Sequence, residues 1–224
     1  EQFAVGPDGK KLYIANEDAG LISVLDTADG KVQAEIPVAE EPEGVAFAPD
    51  GKTVYATCET AGDVFVLDTA QKKSIAHFVV GGRPRNVAFT PDGSRAFIPS
   101  ESTGKVHVID TKEAKPIGEI SLPTNSRPMC LVMAKDGKQL YLSTGWGASI
   151  CVVDVATEKV VNSIKVGPRP WGFAISPDGK QLFVANGPSN DISVVDLSTG
   201  TQTGLIKVGL SPWGVAIVPL PNSP

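Results

Sequence analysis

Histidine is nearly missing from this chain: 224 residues contain two, His77 and His107. They fall in different units of the repeat described below, so a shared metal or a Ser-His-Asp arrangement has little support, and each reads as a packing or surface residue. Cysteine is almost as scarce. Cys58, Cys130 and Cys151 show no C-x-x-C spacing and leave at least one thiol unpaired, which argues against a disulfide framework; all three read as buried small hydrophobes. No apolar run approaches the roughly 18–20 residues of a spanning helix, so no membrane span is expected. Positive charge is outnumbered, 20 Lys+Arg against 25 Asp+Glu with a sequence pI near 5.1, which argues against nucleic acid as a partner. Glu1 leads with no basic-then-apolar segment, so any export leader lies outside this sequence.

What the chain has in quantity is a repeat. Pro-Asp-Gly begins at Pro7, Pro49, Pro91 and Pro177, and Lys135-Asp136-Gly137 replaces it once, at spacings of 42, 42, 44 and 42 residues. Pro219 lies another 42 residues on, at the end of a matching segment, Trp213–Val218. Each unit carries four short β-branched or aromatic runs bounded by Gly, Pro, Asp or Thr. The second unit reads GVAFAPDG, VYATC, DVFVLDT and SIAHFVVGG. These are strand signals, and no segment shows the 3.6-residue apolar period of a helix. A Gly-rich phosphate loop opening onto a helix is therefore excluded. Four strands in about 40–45 residues is the size of one propeller blade. The expected fold is all-β, a single β-propeller domain over 1–224 with blades of approximately 1–42, 43–84, 85–128, 129–170 and 171–212. Segment 213–218 is expected as an extra innermost strand.

Turn chemistry explains the most regular columns. Proline presets φ and glycine accepts a positive φ in Pro-Asp-Gly. Asp26, Asp68, Asp110, Asp154 and Asp196 end the third strand of each unit, where their carboxylates are expected to take nearby backbone N–H groups in Asx turns. Because they lie on separate blades, they do not point to a metal.

The segment LFVANGPSNDISVVDLSTGTQTGLIKVGLSPWGVAIVP resembles the YVTN-type β-propeller repeat, and the resemblance runs the length of the chain. Leu12–Asn16 and Leu182–Asn186 match its YVAN-like strand closely; Ala96–Ser100 and Leu140–Thr144 depart from it. The resemblance implies an exported bacterial or archaeal protein, periplasmic or extracellular, and fixes no substrate. Six innermost strands accompany only five sets of the other three. Either this is part of a seven-bladed propeller or it is a five-bladed ring with a spare strand. In the first case open blade edges predict self-association.

Variable residues gather in the loops that lead into each innermost strand. Before the loop proline stand Glu41, Arg83, Arg127, Arg169 and Ser211, and after it Glu43, Arg85, Met129, Trp171 and Trp213. Four of the five arginines of the chain fall in these ten positions, and Trp146 is expected on the same side. Guanidinium forks take carboxylate or phosphate bidentately, and tryptophan adds apolar area with a polar N–H. Arg83, Arg85, Arg127, Arg169, Trp146, Trp171 and Trp213 are thus candidates for a mouth that accepts an anionic small molecule or protein surface. The competing reading is structural, with Glu41, Glu43, Glu59 and Glu101 neutralising the arginines and the tryptophans packing between blades. No catalytic signature, metal site or cofactor motif is found. The leading expectation is a non-enzymatic binding propeller. Its rivals are a hydrolase, lyase or accessory subunit of a periplasmic oxidoreductase with essential groups in missing blades, and a structural cell-surface repeat protein.

Overall fold

A computed structural model describes residues 2–218 of the chain. It consists of 20 strands in five four-stranded antiparallel meanders. The first sheet is β1 (Phe3–Val5), β2 (Lys11–Asn16), β3 (Leu21–Asp26) and β4 (Val32–Pro37). The second is β5 (Pro42–Phe47), β6 (Thr53–Cys58), β7 (Asp63–Asp68) and β8 (Lys73–Val79). The third is β9 (Ala88–Phe89), β10 (Arg95–Ser100), β11 (Lys105–Asp110) and β12 (Lys115–Ser121). The fourth is β13 (Leu131–Met133), β14 (Gln139–Ser143), β15 (Ser149–Asp154) and β16 (Lys159–Lys165). The fifth is β17 (Pro170–Ile175), β18 (Gln181–Asn186), β19 (Asp191–Asp196) and β20 (Thr201–Lys207). The chain divides into two compact units, Glu1–Leu122 with three sheets and Pro123–Pro224 with two.

Why these runs pair as they do follows from their turns. In each Pro-Asp-Gly or Lys-Asp-Gly hairpin the Asp carboxylate accepts from the N–H two residues on, as Asp8 does from Lys10, Asp92 from Ser94 and Asp178 from Lys180. The glycine takes positive φ, 68° at Gly51 and 71° at Gly93. The expected Asx turns form as well: Asp68 accepts from Gln71 N, Asp110 from Glu113 N and Asp154 from Thr157 N. Each third-to-fourth strand ladder shifts register at one recurring place, between Val24/Leu25, Val66/Leu67, Val108/Ile109, Val152/Val153 and Val194/Val195. Such bulges add local twist to a sheet.

Sheets of one unit pack face to face. Tyr13, Ile22, Val24 and Ile36 of the first sheet bury against Val45, Val54 and Leu67 of the second. Tyr55, Val64 and Phe78 pack likewise against Phe89, Ala96 and Ile109. In the other unit, Tyr141, Ile150 and Ile164 meet Phe173, Leu182 and Val195. Full burial of one such side chain contributes about 1.5–3 kcal/mol, so stacking of blades dominates stability.

One expectation is corrected. Segment 213–218 forms no ladder; its carbonyl at Trp213 accepts from Gly172 N (2.9 Å), and no following strand among the described residues is available to pair with it. The all-β expectation holds: among the described residues helical geometry is confined to two single 3-10 turns, Glu17–Ala19 and Gly145–Gly147. Among the described residues no helix is long and apolar enough to cross a membrane.

Candidate functional site

The loop before each innermost strand is built on a residue in the left-handed region. Glu41 (φ 52°), Arg83 (59°), Asn125 (67°), Arg169 (47°) and Ser211 (49°) repeat at this place, and none is glycine. A left-handed L-residue costs roughly 1–2 kcal/mol that glycine would avoid, and at each of these places a side chain is kept. The loop into the fourth blade is two residues longer than the others, an insertion expected within Leu122–Ser126; the positive φ falls at Asn125, so Arg127 shares the proline spacing of the column but not its backbone conformation.

In the first unit, the side chains at this end form a closed ionic cluster. Arg85, itself buried, donates from Nε to Glu101 Oε2 (2.9 Å), and its terminal nitrogens pair with Glu43, Glu59 and Glu101. Arg83, half exposed, pairs with Glu59 and has Nε 3.6 Å from Glu101. Glu41 accepts from the Thr60 hydroxyl. Burial pushes the Arg85 guanidinium down, but the charges of Glu43 and Glu101 and their hydrogen bonds outweigh it and hold it above its ordinary value. Two guanidinium charges thus face three carboxylates, a balance of minus one. Here the geometry is that of struts between blades.

In the second unit the same end looks different. The Arg169 guanidinium lies over the Trp146 ring at 5.2 Å and over the Trp171 ring at 4.8 Å, and it meets no carboxylate among the described residues. Trp171 in turn contacts Trp213, tilted by 58°. Trp146 and Trp213 are 61% and 56% exposed, unusual for residues with so much apolar area. Close backbone approach makes this possible. A Cβ on Gly172 would lie 2.9 Å from Gly214 Cα, and one on Gly145 (φ 55°) would lie 2.5 Å from Arg127 O. Arg127 N donates to Thr144 O (2.8 Å), which ties the insertion loop to the turn that carries Trp146. Ring faces attract a cation without neutralising it, at about 0.5–2 kcal/mol per contact. Arg169 therefore retains its charge beside exposed aromatic surface.

The remaining candidates stand apart. His77 is exposed and stacks on Phe65, with ring centroids 5.4 Å apart. His107 is buried, with Nε2 2.9 Å from Ser100 Oγ and Nδ1 3.6 Å from Glu119. Cys58 and Cys151 are buried free thiols, and burial pushes Cys58 up to about 11; Cys130 is half-buried, not buried as expected. Among the described residues no group of three His, Cys, Asp or Glu is placed to hold a metal ion. Sequence reasoning missed the left-handed column altogether, since non-glycine residues give no signal of positive φ.

Stacked four-stranded antiparallel meanders define a β-propeller repeat protein. The chain belongs to the family described as lactonase, 7-bladed beta-propeller, whose model matches residues 4–209. Among solved structures it is similar to Kuenenia stuttgartiensis hydrazine synthase, at 19% identity and TM-score 0.71, covering 95% of this chain and 87% of that one. It is also similar to a functionally unknown protein from Desulfotomaculum acetoxidans DSM 771, at 16% identity and TM-score 0.80, covering 92% of this chain and 68% of that one. At these identities the likeness concerns the fold. No curated relative matches the chain.

Proposed function

We propose that this is a binding propeller of the YVTN type, in a periplasmic or extracellular setting, that accepts an anionic ligand or an acidic protein surface at Arg169 and its tryptophans. The observation that carries the reading is the contrast between the two units. Arg85 is consumed by three carboxylates, whereas Arg169 lies over two ring faces, with no carboxylate partner among the described residues and two half-exposed indoles nearby. The seven candidates thereby narrow to Arg169, Trp146, Trp171 and Trp213, with Arg127 as a neighbour on the insertion loop.

Calorimetry with a panel of small carboxylates and phosphate monoesters at low ionic strength tests it. Arg169→Gln is expected to weaken binding by about 1.5–3 kcal/mol, the worth of a charged hydrogen bond, and added salt to weaken it further. Arg95→Gln, at the Pro-Asp-Gly end, is expected to leave it unchanged. If Arg169→Gln binds every anion as the parent does, the reading fails.

Membership of a lactonase family supports a second reading, hydrolysis of a lactone ring. On this reading its candidate groups are Glu43, Glu59 and Glu101, the carboxylates gathered around Arg85. An assay against five- and six-membered lactones, with Glu59→Gln as the variant, separates this reading from the first.

A further inference from the structure

At the Pro-Asp-Gly end of the second unit the repeat breaks at several positions that come together in space. On the innermost strands, Phe47 pairs Val54 and Phe89 pairs Ala96; the same register on β17 pairs Ile175 with Leu182. In the first unit these phenylalanines fill the space between blades, edge-on to Tyr13 at 5.1 Å and to Tyr55 at 5.0 Å. The hydroxyls of those tyrosines donate across to Thr69 O and Thr111 O. Tyr141 is their counterpart in the fourth blade, and it has lost both partners. With Ile175 in place of phenylalanine there is no ring to meet, and its hydroxyl turns back along its own strand to Gln139 Oε1 (2.7 Å).

The space left is a groove of about 770 Å³ between the fourth and fifth blades, lined by Met133, Tyr141, Phe173, Ile175 and Leu197, with Lys135 at its rim. Leu197 stands where earlier blades carry Thr69 and Thr111, and Lys135 where four others carry proline. Ligand pockets fall at roughly 300–1,000 Å³ with apolar walls and few polar groups. The rim charges are unequal in availability. Asp178 is engaged by Ser176 Oγ (2.6 Å) and Lys180 N (3.1 Å), and Asp136 by Lys138 N (3.0 Å). Lys135 meets no carboxylate among the described residues.

We propose that this groove is a second binding site, at the opposite end of the blades from Arg169, for a small amphipathic carboxylate whose apolar body lies along Tyr141 and Ile175 and whose head pairs with Lys135. It stands independently of the Arg169 reading.

Calorimetry with decanoate as the probe, and decanol as its uncharged partner, tests it on the full chain. The parent is expected to bind decanoate at one site. Ile175→Phe restores the ring that fills the space in the first unit, so binding is expected to fall at least about tenfold while the melting temperature rises. Lys135→Gln, a surface change, is expected to weaken decanoate about tenfold, as loss of a charged hydrogen bond does, and to leave decanol unaffected. Failure of the parent to bind decanoate overturns the proposal, as does undiminished binding by either variant. Should Ile175→Phe lower the melting temperature, Lys135→Gln still decides.

Discussion

Arg85 and Glu101 join two loops of the first unit through a 2.9 Å hydrogen bond from Nε to Oε2, with about nine-tenths of each side chain buried. Removing one member of a buried ionic group leaves the others uncompensated, at about 3–5 kcal/mol. Arg85→Ala, which strands Glu43, Glu59 and Glu101, is therefore expected to lower the urea midpoint severely. Arg83→Ala, on a side chain 50% exposed, is expected to cost about 0–1 kcal/mol. Equal losses in urea unfolding would show that the cluster is not organised around Arg85.

Burial along one apolar column is uneven. Ile36, Phe78, Ile120 and Ile164 are 1%, 8%, 2% and 3% exposed, while Ile206, the fifth member, is 47% exposed. Phe3 shows the same contrast on the first blade, 64% exposed where Val45, Val87, Leu131 and Phe173 are all below 7%. Ile164→Ala is expected to cost about 2–5 kcal/mol, as buried Ile-to-Ala changes do, and Ile206→Ala well under half of that. We propose that these open faces drive self-association, since contiguous exposed apolar area of this kind marks contact surfaces. Ile206→Lys should then reduce the sedimenting mass at high concentration, and an unchanged mass would exclude this face.

How far this was legible beforehand varies with the physics involved. The strands and their order were readable because Pro-Asp-Gly, the strand-ending aspartates and short β-branched or aromatic runs are local signals. The fate of the arginines was not, because it depends on which carboxylates of neighbouring blades reach them: Glu43 and Glu59 close on Arg85, and among the described residues no carboxylate pairs with Arg169. Segment 213–218 has the strand pattern of its repeat, but a pattern supplies no partner, and it forms no ladder. Lys135 was visible as a departure from its column, whereas Ile175 stood out only once its register with Leu182 placed it where Phe47 and Phe89 sit. That they meet around one groove became apparent only with the stacking of the fourth and fifth blades.

Acid should weaken the fold in two stages. Burial depresses His107 below its ordinary 6.5, against the opposing pull of Glu119. A depressed base favours the unfolded chain once protons are available, so its contribution is present above that value and lost as pH falls through it. The turn carboxylates act lower. Asp92, held by the Thr90 hydroxyl and by Ser94, is lowered from 3.8 to about 2, and Asp154, Asp178 and Asp196 are lowered by similar turn hydrogen bonds. Their stabilisation is present above the unfolded value and lost as pH falls towards 2. His107→Asn is expected to flatten the first stage in pH-resolved urea unfolding and to leave the second. A first stage that survives the substitution would place its origin elsewhere.

Gly44 tests whether the Arg85 cluster depends on backbone fit. A Cβ there would lie 2.1 Å from Arg85 O and 2.8 Å from Thr57 Oγ1. That hydroxyl accepts from Gly44 N (2.9 Å) and donates to Arg85 O, so it pins the loop that carries the guanidinium. Replacing glycine by alanine gains about 0.4–1 kcal/mol where the backbone tolerates it. Overpacking a rigid site costs typically about 1–3 kcal/mol, and with the Arg85–Asn86 backbone in the way the cost wins. Gly44→Ala is therefore expected to destabilise. In the double variant with Arg85→Ala the two losses should add to less than their sum, because both act on one loop. Additive losses would mean that the close approach and the ionic cluster are independent, and that Arg85 is held by its carboxylates alone.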